Sequence, residues 1–412
     1  MKPAVLVIDP LSSPEYLLKR FTQLGLSVIA LQTLSNIDDY FSYEHLPFAK
    51  ILKSTKDLLQ DLAMLQLIND YQIIHGFVGI TACVPYAEQL LAKLFPDAAN
   101  SPNTSVYRFD KFYMNEVLKR NGLSYIEQQK LPKDMELSTK IKETILFFKV
   151  NRGNMVIKPC SGSAGSVDVF SPTTIEDINA YYQEQHYGTF FQGDTLLQEK
   201  IHGIEYYIDA VAYRGKQQIV SVGRYAKQEV NGTFTYQHID AIDKDSAQIQ
   251  ALLTYVLTCL NELQVANGFS HTEIIATPTN FKLIELNLRT SGIHGWCNLI
   301  AQRKYSVDQI SAYVALLRHE KLILGNVPGK QRIFFFKNKK GTYENIDVNP
   351  IRKLQTYVSH EILHPRMDTE QHQQENLLTV VMLVLLESTE PMAIAHDSDL
   401  LLMMEQQGTC LL

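Results

Sequence analysis

The stretch from His271 to Arg289 carries Glu273, Glu285, Asn287 and Arg289 around a turn-forming Thr277-Pro278-Thr279-Asn280. β-rich runs on both sides of such a turn predict an antiparallel hairpin. Folding about residue 279 places Glu273 opposite Glu285 or one register step away. Strand alternation then puts Asn287 on the face of Glu285, with Arg289 further along it. Like charges across a strand pair repel, and burying them unpaired costs several kcal/mol, so a positive partner is expected between them. Oxygen donors from two carboxylates and an amide suit magnesium, which keeps its other positions for water and phosphate. Taken alone, such a pair is more often solvated on the polar face of an ordinary hairpin. The rest of the chain decides the matter.

A second group begins at Met155, where the apolar strand Met155-Val-Ile carries Lys158 into a loop of small residues, Ser161, Gly162, Ser163 and Gly165. Glycines let backbone approach a ligand closely, and hydroxyls with loop N–H groups can surround phosphate oxygens. The loop is not a Walker A sequence, since no Gly-Lys-Ser/Thr follows the glycines. Lys111, one residue inside a helix begun by Asp110, is a second candidate phosphate contact. A third group, Gln198-Glu199-Lys200-Ile201 through Glu205, is an inter-strand link that can offer adenine a backbone donor and acceptor, with Glu205 accepting from ribose hydroxyls.

In this order, Asp110-Lys111, Ile157-Lys158-Pro159 with its Gly/Ser loop, Gln198 to Glu205, Glu273 and Glu285-x-Asn287-x-Arg289 resemble the ATP-grasp superfamily over roughly residues 105 to 310. His271-Thr-Glu273 and the run from Glu285 to Gly292 look closest to the bacterial L-amino-acid ligases that make dipeptides. The resemblance implies ATP and Mg2+ as cofactors, with Mn2+ able to replace it. It implies phosphate contacts from Lys111 and Lys158, and a loop over residues 161 to 166 that closes on the phosphates. Glu199 and Ile201, with Lys200 between them, would form the adenine hinge, and Glu205 the ribose contact. Glu273, Glu285 and Asn287 would be the metal ligands, with Arg289 facing the transferred phosphate or the substrate carboxylate.

The implied reaction joins a carboxylic acid to an amine, with amino acids as the expected substrates, through an acyl phosphate with release of ADP and phosphate. The alternatives are a carboxylase-type or purine-pathway ligase of the same superfamily, or an ATP-binding regulatory protein without turnover. A neutral amine must attack the acyl phosphate, so a base or a desolvated site is required. His238, His271 and His294 are candidates by their nearness to the motifs, and Trp296, Tyr225 and Tyr236 are candidate pocket walls.

The elements that must position these groups are legible in outline. Ala4–Ile8, Pro14–Leu24 and Ser27–Leu31 read as strand, helix and strand, with Gly25 ending the helix. A strand over Gln72–Val78 and a helix over Val84–Leu94 complete a Rossmann-like first domain, without the G-x-G-x-x-G of a dinucleotide site. Phe95–Thr104 is the best linker. Strands are predicted over 155–159, 166–170, 195–199, 205–213, 217–223, 270–276, 281–287 and 378–386. Helices are predicted over 246–263, 296–303 and 398–406. The expected architecture is α/β, with an α+β nucleotide-binding part. Its domains are a Rossmann-like 1–104, an ATP-grasp region 105–315 and a strand-rich C-terminal lid region 316–412.

Composition fits this outline. The chain has 412 residues, a formal charge of −6 and 45% hydrophobic residues, so several packed subdomains are expected and a nucleic-acid partner is not. Lys337, Lys339 and Lys340 before Gly341 read as a polar hairpin turn. Cys83, Cys160, Cys259, Cys297 and Cys410 lack C-x-x-C spacing, which argues against a zinc site and for a reducing, cytoplasmic setting. No apolar run is long enough to span a membrane. The expected partners are small-molecule substrates, and the reading allows a homodimer.

Overall fold

A computed structural model describes residues 1–34, 43–162, 169–183, 193–339, 341–364 and 380–412. In chain order the first half contains β1 (Lys2–Ile8), α1 (Pro14–Gln23), β2 (Ser27–Gln32), β3 (Lys50–Lys53), α2 (Leu58–Gln66), β4 (Tyr71–Val78), α3 (Val84–Leu94), α4 (Lys111–Arg120), β5 (Gln128–Leu131), α5 (Leu137–Val150), β6 (Met155–Pro159), α6 (Ile175–Gln183), β7 (Thr195–Glu199) and β8 (Ile204–Tyr213). The second half contains β9 (Lys216–Val230), β10 (Thr233–Ala241), α7 (Ala247–Glu262), β11 (Gly268–Ala276), β12 (Phe281–Asn287), α8 (Trp296–Tyr305), α9 (Gln309–Leu317), β13 (Lys330–Lys337), α10 (Asn349–Arg352), β14 (Tyr357–Ile362), β15 (Val380–Ser388) and α11 (Pro391–Gln407). The mixed α/β class is as expected. These elements form two compact units, one of residues 1–125, 206–222 and 243–326, the other of 126–205, 223–242 and 327–412.

In the first unit a parallel sheet runs β3-β2-β1-β4. Ala4 to Ile8 of β1 are all fully buried, as a continuous apolar run in a sheet covered on both faces should be. Pro14 opens α1 at a position where its missing N–H costs nothing, and Gly25, at φ 79°, follows its end. After β4 the chain passes so close to the end of β1 that a Cβ on Gly79 would lie 2.3 Å from the Asp9 carbonyl oxygen. Both sheet turns, 9–13 and 79–83, are therefore held in contact. The same unit holds the antiparallel neighbours β12-β11-β8-β9, the last up to Val222.

Val5, Phe21, Phe77, Val211, Val220, Phe269 and Tyr313 pack into one cluster between the two sheets of this unit. His75 sits beside it, 4.9 Å from the Phe77 ring centre and with Nε2 2.6 Å from the Tyr313 hydroxyl. Burial lowers its pKa from 6.5 to about 4. The unfolded chain thus binds the extra proton between those values. The stability that His75 contributes is complete above about 6.5 and lost as the pH falls toward 4. Replacing His75 by Asn should flatten the acid limb of the urea-midpoint profile, at most by about 1.4 kcal/mol per pH unit. An acid limb of unchanged slope in the variant would refute this.

The second unit contains the three-stranded antiparallel sheet β5-β7-β6, whose core is Leu131, Met155, Ile157 and Leu197. It also holds β9 from Gly223 onward, followed by β10, β13, β15 and β14 in that order. Phe334, Phe336, Val384 and Leu386 pack there against Ile394 and Leu401 of α11.

The bounds of α3, β6, β7 and β12 are those predicted, whereas β9 runs seven residues beyond its expected end. Its extension pairs with β10 across Asn231-Gly232, both at positive φ, which the sequence reading had not used. Of the predicted lysine turn, Lys337 is instead the buried last residue of β13, Gly341 turns at φ 98°, and Lys340 lies outside the described residues. Of the predicted strand 166–170, the residues up to 168 also lie outside them. All five cysteines are free and buried. Among the described residues no helix is long and apolar enough to cross a membrane.

Candidate functional site

In the first unit the hairpin of β11 and β12 closes at Thr277, whose N–H and hydroxyl donate to the Asn280 carbonyl at 2.8 and 3.0 Å. From the turn outward Ala276 pairs with Phe281 and Ile274 with Leu283, but Glu273 then pairs with Glu285. The ladder passes over Ile284, and this one-residue bulge is what brings the two glutamates into direct opposition. His271 pairs with Asn287 on the next same-face rung. Four polar side chains thus share one patch of sheet.

The repulsion between the carboxylates is met by cations of the chain itself. Asp110 caps α4 by accepting from the N–H groups of Phe112 and Tyr113, and this places Lys111 on the first turn. Lys111 is 5% exposed, and its Nζ lies 3.0 Å from Glu285 Oε2. Asn287 Nδ2 donates to the other Glu285 oxygen at 2.9 Å, while Asn287 Oδ1 accepts from the Thr81 hydroxyl at 2.9 Å. On the opposite strand His271 Nε2 is 3.5 Å from Glu273 Oε1, and His271 Nδ1 donates to Asp209 Oδ1 at 2.7 Å. Burial opposes the imidazolium, but the hydrogen bonds and charges of Asp209 and Glu273 outweigh it and raise its pKa to about 9. At neutral pH two cations therefore face two carboxylates.

Arg289 follows the hairpin. Its Nη1 donates to Ser12 Oγ at 3.1 Å and to the Thr290 carbonyl at 2.9 Å. Ser12 Oγ donates in turn to Thr290 O, and Ser13 Oγ to Ser291 O. The turns after β1 and β4 of the parallel sheet thus hold Arg289 and Asn287 respectively.

In the second unit Lys158, 4% exposed, is carried by β6 and pairs in register with Leu196 of β7. Ser161 and Gly162, at φ 65°, follow it, while Ser163 and Gly165 lie outside the described residues. Glu199 ends β7, its N–H bonded to Glu127 O. Lys200 Nζ lies 2.6 Å from Glu229 Oε2, and Ile201 leads through a short link to Glu205. Glu205 Oε1 accepts from Lys227 Nζ at 2.6 Å. Lys227 lies over the rings of Tyr236 and Tyr225, at 4.4 and 5.0 Å. Sequence reasoning did not single out Lys227, although the Asn231-Gly232 turn that sets its strand beside Tyr236 was available as a signal.

The three candidate histidines separate by environment. His271 is a buried cation; His238 is held neutral, burial and the nearby arginines Arg332 and Arg224 lowering its pKa to about 4 against the pull of Asp240. His294 is exposed, in a left-handed conformation at φ 52°. Trp296, Tyr225 and Tyr236 are all buried.

The donor set of the hairpin suits a hard divalent cation. Glu273 and Glu285 keep 13% and 17% of their side-chain surface accessible, so a cation can reach both. Among the described residues no group of three or more His, Cys, Asp or Glu forms a closed metal cage. Two carboxylates and an amide oxygen instead leave positions for water and phosphate, the arrangement magnesium favours.

The chain matches no protein-family model. It is 23% identical to dapdiamide A synthase of Enterobacter agglomerans over 298 residues, 71% of this chain and 68% of that protein. Its structure is similar to that of an L-amino acid ligase from Bacillus licheniformis, with TM-score 0.73, 14% identity and 97% of each chain covered. A carboxyaminoimidazole ribonucleotide synthase from Aspergillus clavatus complexed with ATP gives TM-score 0.71 and 10% identity over 98% of each chain. At these identities the likeness is one of fold.

Proposed function

We propose that this chain, which has the ATP-grasp fold, is an ATP-dependent carboxylate–amine ligase that joins amino acids through an amide bond. The observation that carries the reading is the directly opposed pair Glu273 and Glu285, with Asn287 on the same face, Lys111 on Glu285 and Arg289 immediately beyond. The L-amino acid ligase and the dapdiamide synthase support the choice of substrates, and the ATP complex of a structural neighbour supports the choice of nucleotide.

In this reading the substrate carboxylate attacks the γ-phosphorus in line and ADP leaves, giving an acyl phosphate. The amine nitrogen then attacks the acyl carbon, phosphate leaves, and the nitrogen gives up a proton to a base. Lys111 and Lys158 supply fixed positive charge to the phosphates, and Arg289 presents its planar fork to the transferred group. Glu199, Lys200 and Ile201 hold adenine, Glu205 the ribose, and Ser161, Gly162, Ser163 and Gly165 the phosphate loop. Magnesium, or manganese in its place, would be held by Glu273, Glu285 and Asn287 and would neutralise charge on the phosphate oxygens. His271, being protonated, holds Glu273 rather than accepting a proton, and His238, kept from protonation by burial and by Arg332, is a poor acceptor.

The test is ADP release by the purified chain with ATP and magnesium against pools of amino acids. Release that requires amino acids, matched mole for mole by an amide product in mass spectrometry, is the expected result. Silence with every pool would leave a nucleotide binder, and dependence on bicarbonate would select a carboxylase-type or purine-pathway ligase instead.

A further inference from the structure

The polar row on the hairpin does not stop at β11. On the neighbouring strand β8, Asp209 is fully buried and accepts from His271 Nδ1 through Oδ1. Its other oxygen, Oδ2, accepts from Ser221 Oγ of β9 at 2.8 Å, and Ser221 is 1% exposed. β12, β11, β8 and β9 are consecutive neighbours in the sheet. A connected line of Ser221, Asp209, His271 and Glu273 therefore crosses three strands and ends opposite Glu285 on the fourth. The Tyr207 ring covers the imidazole, with centroids 5.3 Å apart.

We propose that Asp209 is a positioning residue for the metal carboxylate Glu273, acting through His271 and itself fixed by Ser221. This rests on the reading of Glu273 as a metal ligand given above. A buried ion pair is a poor source of stability, because apolar residues of similar volume would serve the core as well or better. What this line provides is orientation. Both Asp209 oxygens have directed donors, so its carboxylate cannot rotate. The imidazole is then held in plane by Nδ1, with Nε2 aimed at one oxygen of Glu273. Glu273 is thereby held from one oxygen at 3.5 Å, and its side chain keeps 13% of its surface accessible. Partners one bond behind a ligand, as His271 is, typically change metal affinity by about 10- to 100-fold when removed, and Asp209 acts one step further back.

The experiment titrates Mn2+ alone into wild type, Asp209→Asn and Ser221→Ala, following free Mn2+ by its electron paramagnetic resonance, and measures ADP binding separately in EDTA. Asp209→Asn keeps the shape of the side chain, and Ser221→Ala removes only the last donor and serves if the first variant fails to fold. The expected result is a Mn2+ dissociation constant raised by up to about 10-fold by Asp209→Asn and less by Ser221→Ala, with metal-free ADP affinity within about twofold of wild type. Wild-type Mn2+ affinity in the folded variants would overturn the proposal and leave the ligase reading standing. A wild type that binds no Mn2+, either alone or with ADP present, would remove both. Equal losses of Mn2+ and metal-free ADP binding would reduce Asp209 to a structural role and overturn it too.

Discussion

Replacing Glu273 and Glu285 together by glutamine should lower magnesium-dependent ADP release by about 10³-fold while leaving the fold intact. Loss of a metal's charge from the phosphate oxygens removes several kcal/mol of transition-state stabilisation, and each 1.4 kcal/mol is about tenfold in rate. The double variant does more than delete ligands. Lys111 and the His271 cation would remain, so a patch that balances two positive and two negative groups becomes one that repels a divalent ion. Glutamine is preferable to alanine, because its carbonyl can still accept from Lys111 and so limits the cost of a buried, unpaired ammonium. Circular dichroism should be unchanged. A double variant that keeps more than a tenth of its magnesium-dependent turnover would sink the metal assignment and the ligase reading with it.

Arg289→Lys should be nearly as damaging, although it preserves the charge. A guanidinium can hold Ser12 Oγ and the Thr290 carbonyl through Nη1 and still offer further donors in a plane, as phosphate oxygens require. An ammonium is a point donor on a flexible stem and cannot keep both sets of partners. Arginines acting on a transferred phosphoryl group contribute about 10³- to 10⁵-fold in kcat. We therefore expect kcat to fall about 10³-fold with the KM for ATP within about threefold of wild type. A large rise in KM at constant kcat would instead make Arg289 a residue of ground-state binding.

Much of this was legible in the sequence because it is local. Thr277-Pro-Thr-Asn280 is turn chemistry, and alternation put Asn287 on the face of Glu285; whether Glu273 stood opposite Glu285 or one step away was left open, and the bulge at Ile284 decides it. Helix α4 was equally readable from Asp110 and from Asn121-Gly122 at its end. What escaped was set by distant partners or by atypical signals. Asp209 meets His271 across 62 positions, and Lys227 meets Glu205 across 22, distances over which no periodicity carries information. Those partners also change chemistry, since the charge of His271 depends on Asp209. Helix α5 was missed for a different reason. Its first turn is capped by Glu136, a residue type uncommon there, and Leu146 and Val150 face solvent. Neither end of its pattern resembles the usual amphipathic helix.

The tight crossing at Gly79 has a consequence for how this chain can diverge. The turns it joins hold Ser12 on one side and Thr81 on the other, and those hydroxyls brace the two side chains that end the hairpin. A single added methyl would wedge the turns apart and disturb both braces at once. Position 79 therefore ties the spacing of the parallel sheet's two turns to the seating of Arg289 and Asn287, so that a side chain there would be felt at both.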